Sequence, residues 1–273
     1  MSRAWEPGDE PTVGVLEPDD GRTPLDVTAL EGVCDTWDAE FVTGGIEDVL
    51  ALEPTVVIVP DESTLSAIAR ERLGCPVLPT GSISGIESAE HDRAGVALET
   101  ALEGDATVRR HQLLEVAIEP TTDGSGGESH NEHGTLEAVE STRAAFDVTL
   151  VTDEPARISE FGVESRDESV ASFRADGVVV ATPAGSHGYA SAIDGPELSR
   201  VVDGVAVVPI APFVRRTRRW VLPTDDLVLT VERDTGAVAL VVDGESIGTI
   251  GVGSRVVISP GGSVATLSAP VSQ

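Results

Sequence analysis

The chain changes texture once, just after residue 104, and that change limits its fold more than any other feature. Before it, the apolar runs "TVGVLE" (12 to 17), "TVVIVP" (55 to 60) and "CPVLPT" (75 to 80) share the sequence with helix-like "ESTLSAIARERLG" (62 to 74) and "RAGVALETALEG" (93 to 104). Continuous apolar runs suit parallel strands buried on both faces, and strand, helix and strand in alternation build an α/β layer. After it come strand-like segments at 111–119, 146–152, 157–165, 177–182, 204–212, 226–232, 237–244 and 254–260, with turns between them. Such spacing predicts an all-β sandwich. We therefore expect a polar, proline-bounded tail over 1–11, an α/β domain over 12–95, and a β-sandwich over 96–258. A final segment, 259–273, has the option of returning to the first domain. Within the sandwich, "TTDGSGGESHNEHG" (121 to 134) reads as a flexible insert, because Gly, Ser and Asp cannot build a core.

Charge narrows the partners. Eighteen Lys plus Arg stand against 47 Asp plus Glu, a formal net charge of −29 over 273 residues. So acidic a chain repels nucleic acid and anionic membrane surfaces, and neither is an expected partner. Valine-rich periodic segments argue against disorder, which leaves a folded protein of a high-salt cytoplasm, its carboxylates holding water where the Debye length is short. The two cysteines, Cys34 and Cys75, form no CxxC and no metal-ligand spacing, so the reading has no metal site and no disulfide. No leader or long apolar span is evident, and the expected location is the cytoplasm.

The stretch 174 to 198, "RADGVVVATPAGSHGYASAIDGPEL", passes from an apolar strand into residues with almost no side-chain bulk. Small residues let a ligand approach the backbone. Asp176-Gly177, Thr182-Pro183, Gly185-Ser186, Tyr189 and Gly195-Pro196 stand at the spacing of a signature of the NAD kinase family, which the chain resembles over residues 12 to 265. "CPVLPTGSISGIESAE" and "VVDGES" extend the likeness. The resemblance implies an N-terminal Rossmann-like α/β nucleotide-binding domain and a C-terminal β-sandwich that binds the dinucleotide. It also implies NAD or a related nucleotide and ATP as ligands, Mg²⁺ arriving with ATP, no tightly bound cofactor, and assembly as a homodimer or homotetramer. On it, Asp147, Asp176, Thr182, His187, Gly188 and Tyr189 bind the dinucleotide, and Ser63, Thr64 and Arg218 bind phosphate.

The departures from that pattern are as informative. Where the family carries Gly-Gly-Asp-Gly-Thr-Leu, this chain has Pro60-Asp61-Glu62-Ser63-Thr64-Leu65, so Glu62 takes the place of the catalytic aspartate. Pro60 and Asp61 resist the backbone approach that glycine permits, and Asp61 adds a carboxylate where a triphosphate would come. Phe146-Asp147 hold the positions of the family's Asn-Glu pair. Asn131-Glu132 in the insert is rejected as that pair, because counting back from 174 aligns "AAFDVTLVT" instead. His187, Gly188 and Ala192 replace Thr, Ala and Ser.

Each candidate has a plainer reading beside it. Glu62 is either the residue that orients the ribose 2'-hydroxyl or an acidic residue in the first turn of a helix. His187 is a ligand contact or a satisfied surface histidine, and Tyr189 stacks on a ring or packs. Asp176 is a ligand contact or a turn residue. Arg215, Arg216, Arg218 and Arg219 form an anion site or pair with neighbouring carboxylates. Three functions stay open: ATP-dependent phosphorylation of NAD to NADP, a catalytically silent relative that binds a nucleotide or partners an active kinase, and a site rebuilt for another phosphorylated metabolite.

Overall fold

The continuous apolar runs near the N-terminus become parallel strands covered on both sides, as their composition requires. The computed structural model describes residues 3–18, 24–119, 141–153, 157–214, 216–233 and 237–270. Thr12–Leu16, Glu40–Gly44, Val56–Val59 and Val77–Pro79 pair in parallel, in the spatial order 40–44, 12–16, 56–59, 77–79, and Thr266 lies beside Val77. Val13, Val15, Val56, Ile58 and Leu78 point to one face, where helices Val27–Thr36 and Ala94–Leu102 bury Leu30, Cys34, Ala97 and Leu98 against them. Gly14 faces the other way, and Val49 of helix Ile46–Leu50 fills the space a Cβ would need.

These elements belong to a first unit made of Met1–His111 and Ser263–Gln273; Gln112–Gly262 form a second. The division falls after His111 rather than after residue 95, because helix Ala94–Leu102 buries its apolar face in the first unit's core and the chain reaches its next strand only at Thr107. It returns at 263 rather than 259. The stretch read as a polar tail is tied down: Arg3–Ala4 pairs antiparallel with Thr107 and Val108, and Trp5 is buried with its N–H donated to the Ala106 carbonyl at 3.0 Å.

In the second unit six antiparallel strands run in the order Trp220–Leu222, Val205–Ile210, Gly177–Ala181, Asp147–Thr152, Val238–Val242, Glu245–Ile250. A second antiparallel set contains Glu168–Ala175, Ser159–Ser165, Leu227–Arg233 and the start of Arg255–Ser268. The two sheets enclose one core, in which Val178 and Val180 meet Phe161, Val163, Leu229 and Ile258. The alternate residues Val179 and Ala181 enter a separate cluster on the outer face with Ala190, Leu198 and Val208. That two-sided burial explains why "GVVVA" is apolar at every position instead of at alternate ones. Among the described residues no helix is long and apolar enough to cross a membrane.

Candidate functional site

The loop 182–189 of the second unit rests on a layer of backbone that is itself held by one carboxylate. Asp243 Oδ1 accepts the N–H groups of Phe146 (2.8 Å) and Asp147 (2.9 Å), and Oδ2 accepts that of Ala145 (2.8 Å). Asp243 N–H returns a bond to the Asp147 carbonyl at 2.9 Å. On the segment so fixed, Thr182 donates its N–H to the Phe146 carbonyl and its hydroxyl to the Ala145 carbonyl, both at 2.8 Å. The same hydroxyl accepts Gly185 N–H at 3.1 Å. Gly185 then presses onto the backbone of Phe146, where any side chain would collide.

Thr182 is completely buried, so its place is inside the loop, where it pins both strands. Ser186 continues the frame by donating to the Pro183 carbonyl and accepting Leu198 N–H, each at 2.8 Å. His187 Nε2 lies 3.1 Å from the Leu198 carbonyl and Nδ1 3.7 Å from Glu197 Oε2, which holds the ring along the loop's edge. Gly188 leads into the short helix Tyr189–Ala192, and Tyr189 is 47% exposed. Asp147 is partly exposed at the loop end of its strand, its Oδ1 accepting the Thr149 hydroxyl at 3.1 Å. Phe146 is buried, so its ring does not stand in for a hydrogen-bonding side chain at the surface.

Asp176 is not brought to this group. Ala181 pairs with Asp147 and Gly177 with Val151, so Asp176 sits at the far end of the strand, about 17 Å away for five residues at about 3.4 Å each. Arg218 is exposed, and Arg219 bonds the Ile193 carbonyl at 3.1 Å and approaches Asp194 at 3.6 Å. Arg215, Asn131 and Glu132 lie outside the described residues. The sequence reading missed a groove of about 410 Å³ beside the arginine run, walled by Phe173, Phe213 and Trp220, with Arg174 stacked over Phe213. It also missed Asp243. In the sequence its "VVDGES" only extended the family likeness, and nothing local signals the three N–H groups nearly a hundred residues away.

In the first unit, Pro60–Thr64 follows the strand Val56–Val59, next to Thr12–Leu16, where the strand order reverses. Open α/β sheets bind ligands outside the carboxyl ends of the strands at such a point. The turn is closed by its own side chains. Asp61 caps helix Glu62–Arg70, its Oδ1 taking Thr64 N–H at 2.8 Å, the Thr64 hydroxyl at 2.7 Å and the Ser63 hydroxyl at 2.8 Å. Burial pushes the Asp61 carboxyl up, but the hydrogen bonds from Thr64 and Ser63, with His91 nearby, outweigh it and hold the group below its ordinary value. The two hydroxyls expected to bind phosphate thus already serve an internal anion. Glu62 Oε2 accepts Ser84 N–H at 3.0 Å, and His91 Nε2 bonds the Pro60 carbonyl at 2.8 Å over Gly81. Among the described residues no three His, Cys, Asp or Glu side chains are grouped to hold a metal ion.

Comparison with known proteins agrees with this layout. Residues 147–267 match the ATP-NAD kinase C-terminal domain. An NAD kinase of Methylibium petroleiphilum is 30% identical over 245 residues, covering 84% of this chain and 76% of the relative. The chain belongs to the NAD kinase family. An NAD kinase of Methanosarcina barkeri is 37% identical over 103 residues, and there the match spans only 38% of the relative's length and 37% of this chain. The solved yeast NADH kinase complexed with NADH superposes with a TM-score of 0.75 at 15% identity, over 96% of this chain and 84% of its own. That likeness establishes the fold: a Rossmann-like α/β unit and a β-sandwich. Within the matched region, the loop 182–189 is held by hydrogen bonds through Thr182, Gly185 and Ser186.

Proposed function

We propose that the chain binds an NAD-class dinucleotide on the loop 182–189 and phosphorylates it, slowly, with ATP. The observation that carries this reading is the loop itself. Its small residues and internal hydrogen bonds leave Tyr189 as an exposed ring at its end, with Asp147 at the loop end of its strand. Tyr189 supplies a stacking face of the kind a nicotinamide or adenine ring takes, and Asp147 accepts a ribose hydroxyl. In phosphoryl transfer most of the rate comes from positioning and charge, so the protein's part is to hold the acceptor hydroxyl and the γ-phosphate in line. Glu62 takes the role of orienting the 2'-hydroxyl; Ser84 N–H already fixes its carboxylate. Mg²⁺ enters as part of the MgATP substrate.

Asp61 favours a second reading, a silent relative that binds the dinucleotide and transfers nothing. Its carboxylate engages the hydroxyls of Ser63 and Thr64 and the helix N-terminus, the groups a phosphate would use. Formation of NADP from NAD and MgATP by the purified protein in multimolar KCl tests the two. Turnover supports the kinase; NAD binding without turnover supports the silent relative. Exposed Phe213, Val214 and Val221 support the dimer or tetramer that goes with either reading, and sedimentation in the same salt tests it.

A further inference from the structure

We infer that Asp243, on a hairpin turn outside the loop 182–189, sets that loop's shape and thereby its affinity for ligand. Asp243 and Gly244 form the two-residue connection between Val238–Val242 and Glu245–Ile250, with φ of 50° and 80°. A turn with positive φ at both central residues accepts Asn-Gly as readily as Asp-Gly. The turn therefore does not explain the aspartate. Three converging N–H donors do, since only a group that accepts on both oxygens satisfies them all. From there the chain of contact is continuous: Asp243 fixes 145–147, the carbonyls of Ala145 and Phe146 receive Thr182, the Thr182 hydroxyl receives Gly185 N–H, and Gly185 seats on Phe146. Tyr189 follows four residues on. Asp243 is a positioning residue, acting on the loop through the backbone at 145–147.

The binding half of this inference rests on the dinucleotide reading; the structural half does not. Asp243→Asn keeps the turn and two of the three bonds, but turns an amide NH₂ toward Ala145 N–H. We expect amide hydrogen exchange to rise about tenfold at 145–147 and at 182–189, and NAD affinity by calorimetry to fall about tenfold. Thr182→Val cuts the chain one link later: exchange rises at 182–189 while 145–147 stays protected, and affinity falls again. Loop exchange unchanged in Asp243→Asn overturns the inference. Raised exchange with native NAD affinity overturns its functional half and leaves Asp243 a structural pin. Should the native protein bind no NAD, the dinucleotide reading fails, while exchange in the two variants still decides whether Asp243 governs the loop.

Discussion

Gly185 lies against the Phe146 carbonyl with no space for a Cβ between them. The loop and the entry to the strand Asp147–Thr152 are thus one packed unit, and adding a methyl group forces the backbone apart. Gly185→Ala is expected to cost about 1–3 kcal/mol, the usual range for overpacking a close contact. Denaturant unfolding in high salt measures it. A loss below about 0.5 kcal/mol would show that the loop can lift off without penalty.

Asp61 makes the first helix of the site pH-sensitive in a defined direction. Its pKa is depressed on folding, so its contribution is present above the ordinary value of 3.8 and is lost as pH falls through the folded value. Asp61→Ala should lower stability by about 1 kcal/mol at neutral pH, as loss of an N-cap does, and by progressively less as pH falls below 3.8. Melting temperatures of both proteins at several pH values check this. A gap that does not narrow on acidification contradicts the capping account.

The net charge of −29 predicts salt-dependent folding. Self-repulsion among surface carboxylates is screened at molar salt and grows as the Debye length lengthens on dilution. Circular dichroism across a KCl series should show the melting temperature falling below roughly molar salt. A constant value down to low salt rules out the high-salt origin.

What the sequence disclosed depended on burial. Val56–Val59 and Gly177–Ala181 were legible because every residue is buried, so each registers as an unbroken apolar run. Glu40–Gly44 and Glu168–Ala175 end their strand orders; the first buries no residue fully and the second only Phe173 and Ala175, and no apolar pattern marked them. Trp5 was hidden in a polar, proline-bounded stretch whose anchor is the strand starting at Thr107. The loop 182–189 stood out in the sequence because it carries a local motif, whereas Asp243 did not, because its partners at 145–147 are near only in three dimensions. Asp176 was grouped with Asp147 on sequence grounds, and strand register separates them.

Tyr189 and Asn131 distinguish the two dinucleotide sites the sequence offered. Tyr189 is exposed, so Tyr189→Ala removes a stacking face without opening a cavity: stability should hold while NAD affinity drops by about tenfold, roughly 1.4 kcal/mol. Asn131→Ala should change neither. Calorimetry on both decides it, and equal losses would return the Asn131-Glu132 pair to the site.

Glu62 decides between a slow kinase and a silent binder. A carboxylate moved outward by one methylene still presents its charge, and displacement on that scale costs about 10²-fold in rate without abolishing transfer. Asp61 is the heavier handicap, since its carboxylate already takes the Ser63 and Thr64 hydroxyls and the Thr64 N–H. The native protein should therefore form NADP from NAD and ATP at least about 10²-fold more slowly than a variant with residues 60 to 63 changed to Gly-Gly-Asp-Gly together with Phe146→Asn. Glu62→Gln in the native background should abolish the residual rate while leaving NAD bound, because the amide keeps the shape and loses the charge. Robust native turnover that Glu62→Gln leaves intact would remove Glu62 from the reaction. If neither the native protein nor the restored variant turns over while both bind NAD, the defect lies beyond the turn 60–63 and the silent reading stands.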